Sequence, residues 1–150
     1  MFVAPVDHPL RGVAGLSVWA LEPYGFIVRE PGSGTRAAME KFFAAARMTP
    51  KVTMEMPSNE IIKQSVMAGL GLSFLSLHTI GLELDSGLIT VLDVQGAPVV
   101  RSWQCVHTLS KVLSPAAEAF RYFVLERGEP FLAAQFGGHA DSAVALTTPR

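Results

Sequence analysis

Residues 29–36 read REPGSGTR, and this stretch decides how the chain folds. The run GFIV (25–28) leads into it and AAMEKFFAAA (37–46) leads out. The apolar run closed by Pro31 and Gly32 reads as a strand, GFIVRE. Beyond Thr35, Met39, Phe42, Phe43 and Ala46 recur at i, i+3, i+4 and i+7, the spacing of one helix face. Pro50 limits that helix. A strand, a glycine turn and a helix in succession are the repeating unit of an α/β fold.

The neighbouring segments continue the pattern. FVAP (2–5) reads as a strand, DHPLRG as a turn, and LSVWALEPYG as a short helix or turn. KVTMEM (51–56) reads as a strand. Ser58 is placed as the N-cap of a second helix, with Glu60 in its dipole-favoured first turn. Ile62, Val66 and Gly69 would form its packing face, and Gly69 and Gly71 would end it. LSFLSL (72–77) has the continuous apolar character of a buried strand. HTIGLELDSG reads as a short helix and turn, and LITVLDV (88–94) and VVRSWQCVH (99–107) as strands. Ser114 and Pro115 suit the N-cap and first position of a last helix, with Ala116, Phe120 and Phe123 on one face. After Phe136 no pattern persists, and disorder is expected. The expected fold is α/β with a largely parallel sheet.

Composition narrows the function. The 150 residues suit one domain, and 49% of them are hydrophobic, enough for a packed core. Twelve Lys and Arg against 13 Asp and Glu are scattered, without the basic cluster that phosphate backbones require. The single cysteine, Cys105, excludes an internal disulfide and a cysteine zinc cage. Beside Trp103 it reads as buried. His8, His78, His107 and His139 lack metal-ligand spacing, and His78 reads as a helix cap. No nucleophile, base and orienter assemble, so the chain reads as a binder needing no cofactor and no metal. No apolar run reaches the roughly 20 residues of a membrane span. With no secretory signal at the start, a cytoplasmic protein is expected. A strand beginning at residue 2 without lead-in suits a fragment of a longer chain.

Two strand-to-helix loops are candidate ligand sites. One is Gly32-Ser33-Gly34-Thr35-Arg36, the other Pro57-Ser58-Asn59. At a helix N-terminus, free N–H groups and the dipole favour an anion. Glycines permit close approach, and Ser33, Thr35 and Arg36 add hydroxyls and charge. The alternative is that Ser and Thr only cap the helices and the glycines only serve a turn. Neither G-x-x-x-x-G-K-[ST] nor G-x-G-x-x-G is present.

FIVREPGSGTR (26–36), SNEIIKQSVMAGLGLSFLSLHTIGLEL (58–84) and VVRSWQCVHTLSKVLSPAAEAFRYFV (99–124) together resemble the effector-binding domain of LysR-type transcriptional regulators. Within that family they look most like regulators of Calvin-cycle (RuBisCO) operons. The resemblance implies a fold like type 2 periplasmic binding proteins, in which two α/β lobes flank a cleft. On this mapping residues 1–24 end lobe I, 25–100 form a complete lobe II, and 101–127 form a crossover strand and return helix. Residues 128–150 are a C-terminal extension disordered at its end. The rest of lobe I and the helix-turn-helix would lie outside the chain. The resemblance implies that Gly32, Ser33, Gly34, Thr35 and Arg36, with Ser58 and Asn59, hold a small anionic or phosphorylated metabolite. It also implies a homo-oligomer, a dimer or tetramer, that reaches DNA only through an N-terminal helix-turn-helix. The rival reading is a solute-binding protein or small-molecule enzyme on the same two-lobe fold.

Overall fold

The computed structural model describes residues 1–110 and 112–145. Its sheet is assembled around β1 (Phe2–Pro5), every residue of which is buried. β1 pairs antiparallel with β4 (Ser73–Phe74) on one side and β5 (Ile89–Leu92) on the other. β2 (Gly25–Arg29) and β3 (Lys51–Met56) pair in parallel. A parallel bridge joins the two groups: Ile27 N–H donates to Leu72 O and Leu72 N–H to Gly25 O, both at 2.8 Å. The order across is therefore β3-β2-β4-β1-β5, with β1 alone running against the others.

Backbone approach explains how β4 reaches β2. A Cβ on Gly71 would stand 2.7 Å from the Gly25 carbonyl oxygen, so only glycine admits that contact. Ser73, buried beside it, satisfies its hydroxyl by donating to Ile27 O at 2.7 Å.

Strand alternation sorts the core onto two faces. Phe2, Ala4, Phe26 and Val28 point to one face, where Met39 and Phe43 of α1 (Gly34–Ala45) cover them. Val3 and Ile27 point to the other, against Ile62 and Val66 of α2 (Asn59–Met67) and Ile80 before α3 (Gly81–Asp85). Phe2 is the hub of the first face. Its ring meets Phe74 at 5.0 Å, Phe42 at 5.1 Å, Phe43 at 5.5 Å and Phe26 at 6.2 Å, all edge-to-face. Phe2–Pro5, expected at the end of lobe I, thus packs inside the sheet that carries the glycine turn.

Four expectations are corrected. Gly69 is exposed at φ +76°, so it terminates α2 instead of packing it. VVRSWQCVH forms no strand: among the described residues its backbone has no ladder partner. Val100, Trp103 and Val106 are 88%, 83% and 82% exposed, and Cys105 is exposed rather than buried. The last helix, α4 (Pro115–Ala145), starts as expected, with Ser114 Oγ accepting from Ala117 N–H at 3.3 Å. It then continues through Pro130 and past Phe136, where no regular structure was expected, while Phe120 and Phe123 stay exposed. Residues 146–150, part of the expected disordered end, lie outside the described residues.

Phe2→Ala should lower the unfolding free energy by about 3–5 kcal/mol, the cost of a large core cavity. Denaturant titration checks this; a loss below about 1 kcal/mol would contradict the hub role.

Candidate functional site

The carboxyl ends of β2, β3, β4 and β5 and the amino end of β1 share one edge of the sheet. In open α/β sheets, ligands bind outside this edge. The first loop there is a β-turn. Ser33 N–H donates to Glu30 O at 3.2 Å, with Pro31 and Gly32 at the corners. Gly32 has φ +88°, the left-handed value that the second corner of a type II turn demands. The turn delivers Ser33 as the N-cap residue of α1, in extended conformation.

Neither Ser33 nor Ser58, the residue before α2, makes a side-chain cap hydrogen bond. Helix geometry gives the N–H groups of Gly34, Thr35 and Arg36 no intrahelical acceptor. The turn therefore offers hydroxyls and N–H donors to the sheet edge. The capping alternative is not what the side chains do.

The two expected polar anchors are occupied within the protein. Arg36 Nε bonds Glu40 Oε1 at 2.8 Å, and its Nη1 meets both Glu55 Oε2 and Arg29 O, the latter at 3.0 Å. Hydrogen bonds to Glu40 and Glu55 raise its pKa above the ordinary arginine value. Asn59 Oδ1 accepts from Arg29 Nη1 at 2.7 Å, while the same guanidinium grips Glu30 at 2.7 and 2.9 Å. Arg29 links the end of β2 to the start of α2. Sequence reasoning assigned it no role, although a charge closing an apolar strand was the available signal.

Glu60 and Glu83 both hold one lysine. Lys63 Nζ lies 2.8 Å from Glu60 and 2.9 Å from Glu83, and Lys63 and Glu83 are buried. Burial pulls the lysine pKa down, but the two carboxylates outweigh it and leave it raised. This pair ties α2 to α3. His78 follows Ser76, which holds the N-cap position of the Leu77–Thr79 turn expected for the histidine, and their side chains approach at 3.3 Å.

At the same sheet edge, beyond the ends of β1 and β4, lies a cavity of about 410 Å³. Met1, residues 74–78 and residues 98–103 line it. Arg101 connects it to α1: its Nη1 donates to Gly34 O at 2.7 Å, and a Cβ on Gly34 would stand 3.3 Å from that nitrogen. Of the sequence-expected residues, Gly32–Thr35 stand at this edge with donors to offer and Ser58 stands across from them on the next loop.

Residues 1–129 match the LysR substrate binding domain family. The HTH-type transcriptional regulator CfxR of Cupriavidus necator is 47% identical over 138 residues, which are 92% of this chain and 44% of that protein. The RuBisCO operon transcriptional regulator of Allochromatium vinosum is 51% identical over 123 residues, 82% of this chain and 41% of that one. The chain thus spans less than half the length of these relatives. The regulatory domain of CcmR from Synechocystis PCC6803, solved in complex with 2-PG, superposes with a TM-score of 0.77 at 36% identity, covering 82% of this chain and 59% of that one.

Because neither serine caps, Ser33→Ala and Ser58→Ala should each change stability by less than about 0.5 kcal/mol. A thermal-melt loss near the roughly 1 kcal/mol of a true cap would contradict this.

Proposed function

The chain belongs to the LysR substrate-binding-domain family, and from that premise we propose that it is the effector-sensing part of a DNA-binding transcription regulator of CO2-fixation genes. The observation that carries this is the glycine turn at the sheet edge, where the Ser33 side chain makes no cap bond and the first-turn N–H groups have no acceptor among the described residues, joined to the cavity through Arg101. Relatives that are RuBisCO operon regulators support the target class. The phosphorylated ligand of the CcmR neighbour, 2-phosphoglycolate, supports an anionic effector.

In this reading the N–H groups of Gly34 and Thr35 and the hydroxyls of Ser33, Thr35 and Ser58 meet the anion. Arg36 and Asn59 hold the two turns in place through Glu55 and Arg29. Residues 25–100 form the effector-binding lobe, residues 1–24 end the other lobe although Phe2–Pro5 packs in the same sheet, and residues 101–127 lead back towards it. Effector binding favours the closed arrangement of the lobes, and a ligand shifts that equilibrium only by its preference for one state. Closure then re-spaces helix-turn-helix domains that lie outside the chain. The protein is a cytoplasmic regulator and not an enzyme.

Self-association belongs to the same proposal. Val100, Trp103 and Val106, with Phe120 and Phe123 of α4, form exposed apolar surface of the kind that interfaces cover. Sedimentation should show a dimer or larger species at micromolar concentration, and a stable monomer would speak against it.

The effector site is tested by titrating the chain with 2-phosphoglycolate at millimolar concentration and following backbone amide resonances. Shifts should centre on residues 32–35. Thr35→Ala should weaken binding about fivefold, the loss of one net hydrogen bond. Shifts confined elsewhere, or unchanged affinity in the variant, would contradict the assignment.

A further inference from the structure

The cations around this edge differ in what neutralises them. Arg29 grips Glu30 with two bonds. Arg36 bonds Glu40 and Glu55. Lys63 sits between Glu60 and Glu83. Arg101 is exposed, lines the cavity, and among the described residues bonds only a neutral acceptor, the Gly34 carbonyl. We propose that Arg101 is a ligand-contacting and specificity-determining residue that binds the phosphate group of the effector, as distinct from a carboxylate, in the cavity it lines. The proposal rests on the reading of this edge as the effector site.

Geometry favours it in three ways. The bond from Nη1 to Gly34 O holds the guanidinium at the first residue of α1, and its remaining donors belong to a side chain that lines the cavity. A phosphate oxygen is a stronger acceptor than a neutral carbonyl, so the ligand competes well for those donors. The remaining walls mix Ser76, His78 and Ser102 with Phe74, Leu77 and Trp103, which suits a small molecule having a polar anionic end and a short carbon skeleton. Met1, on the same wall, donates its amine to Leu75 O at 2.8 Å, and burial first, then the Arg101 charge, lowers its pKa to about 5, so near neutral pH it adds no positive charge beside Arg101. A Cβ at position 34 would stand 3.3 Å from Arg101 Nη1, so a side chain there would push the guanidinium aside by a few tenths of an ångström.

The test is amide and guanidinium NMR on the full 150-residue chain, titrated separately with 2-phosphoglycolate and with glycolate. The Arg101 Nε–H resonance should move with 2-phosphoglycolate and stay still with glycolate at equal concentration. Arg101→Gln should raise the Kd for 2-phosphoglycolate about tenfold, and Arg101→Lys should recover part of the loss. A wild-type chain that binds, with an unmoved Arg101 resonance and an unchanged Kd in Arg101→Gln, overturns the role of Arg101 and leaves the effector-site reading standing. If Arg101 only latches its segment to α1, Arg101→Gln shifts the Gly34 resonance in the free protein without changing Kd, which overturns the proposal too. A wild-type chain that responds to neither compound overturns both readings.

Discussion

The arrangement depends on β1 lying antiparallel between β4 and β5. Those strands, Ser73–Phe74 and Ile89–Leu92, come from segments far later in sequence, and among the described residues β1 is the only strand that pairs with both. Because side chains alternate, one four-residue strand supplies Phe2 and Ala4 to the α1 face and Val3 to the α2 face. The aromatic cluster around Phe2 then fixes where α1 sits, through Phe42 and Phe43. The position of α1 sets the position of its N-terminus, and hence of the glycine turn. Packing on one side of the sheet is thereby connected to the donors offered at its edge.

At that edge electrostatics separates scaffold from site. Two arginines and a lysine are consumed internally, each held by carboxylates: Arg29 by Glu30, Arg36 by Glu40 and Glu55, Lys63 by Glu60 and Glu83. Such pairs fix geometry. Arg29 joins β2 to α2 through Asn59, and Arg36 joins α1 to β3 through Glu55. Both helix N-termini are thus braced without using their own serine hydroxyls. The donors of the first turns stay available, in the position where α/β folds receive anions.

Much of this was legible in the sequence. GFIVRE, the Met39–Phe43 face and Ser58 predict their elements because apolar period and turn chemistry are local properties. The REPGSGTR turn likewise displays its Pro-Gly corner and helix start. What was not legible depends on partners distant in the chain. VVRSWQCVH has strand-forming residues, yet a strand exists only where another edge accepts its hydrogen bonds, and none is present among the described residues. Cys105 was expected inside for the same reason, because apolar character predicts burial only if something covers it. Arg36 looked like a ligand contact because charge beside a glycine turn carries no label for its partner. Glu40 lies one helical turn away and could have been suspected, whereas Glu55 on β3 could not. Arg101, 67 residues from Gly34, had no signal at all until folding brought it there.

The central claim is that an anionic metabolite binds where the glycine turn, the start of α1 and the cavity converge. The most direct measurement is a crystal structure of the chain with 2-phosphoglycolate. The account predicts difference density for the phosphate within hydrogen-bond reach of the Gly34 and Thr35 N–H groups and the Arg101 guanidinium. Density at the opposite edge of the sheet, or a phosphate seated away from the start of α1, would contradict it.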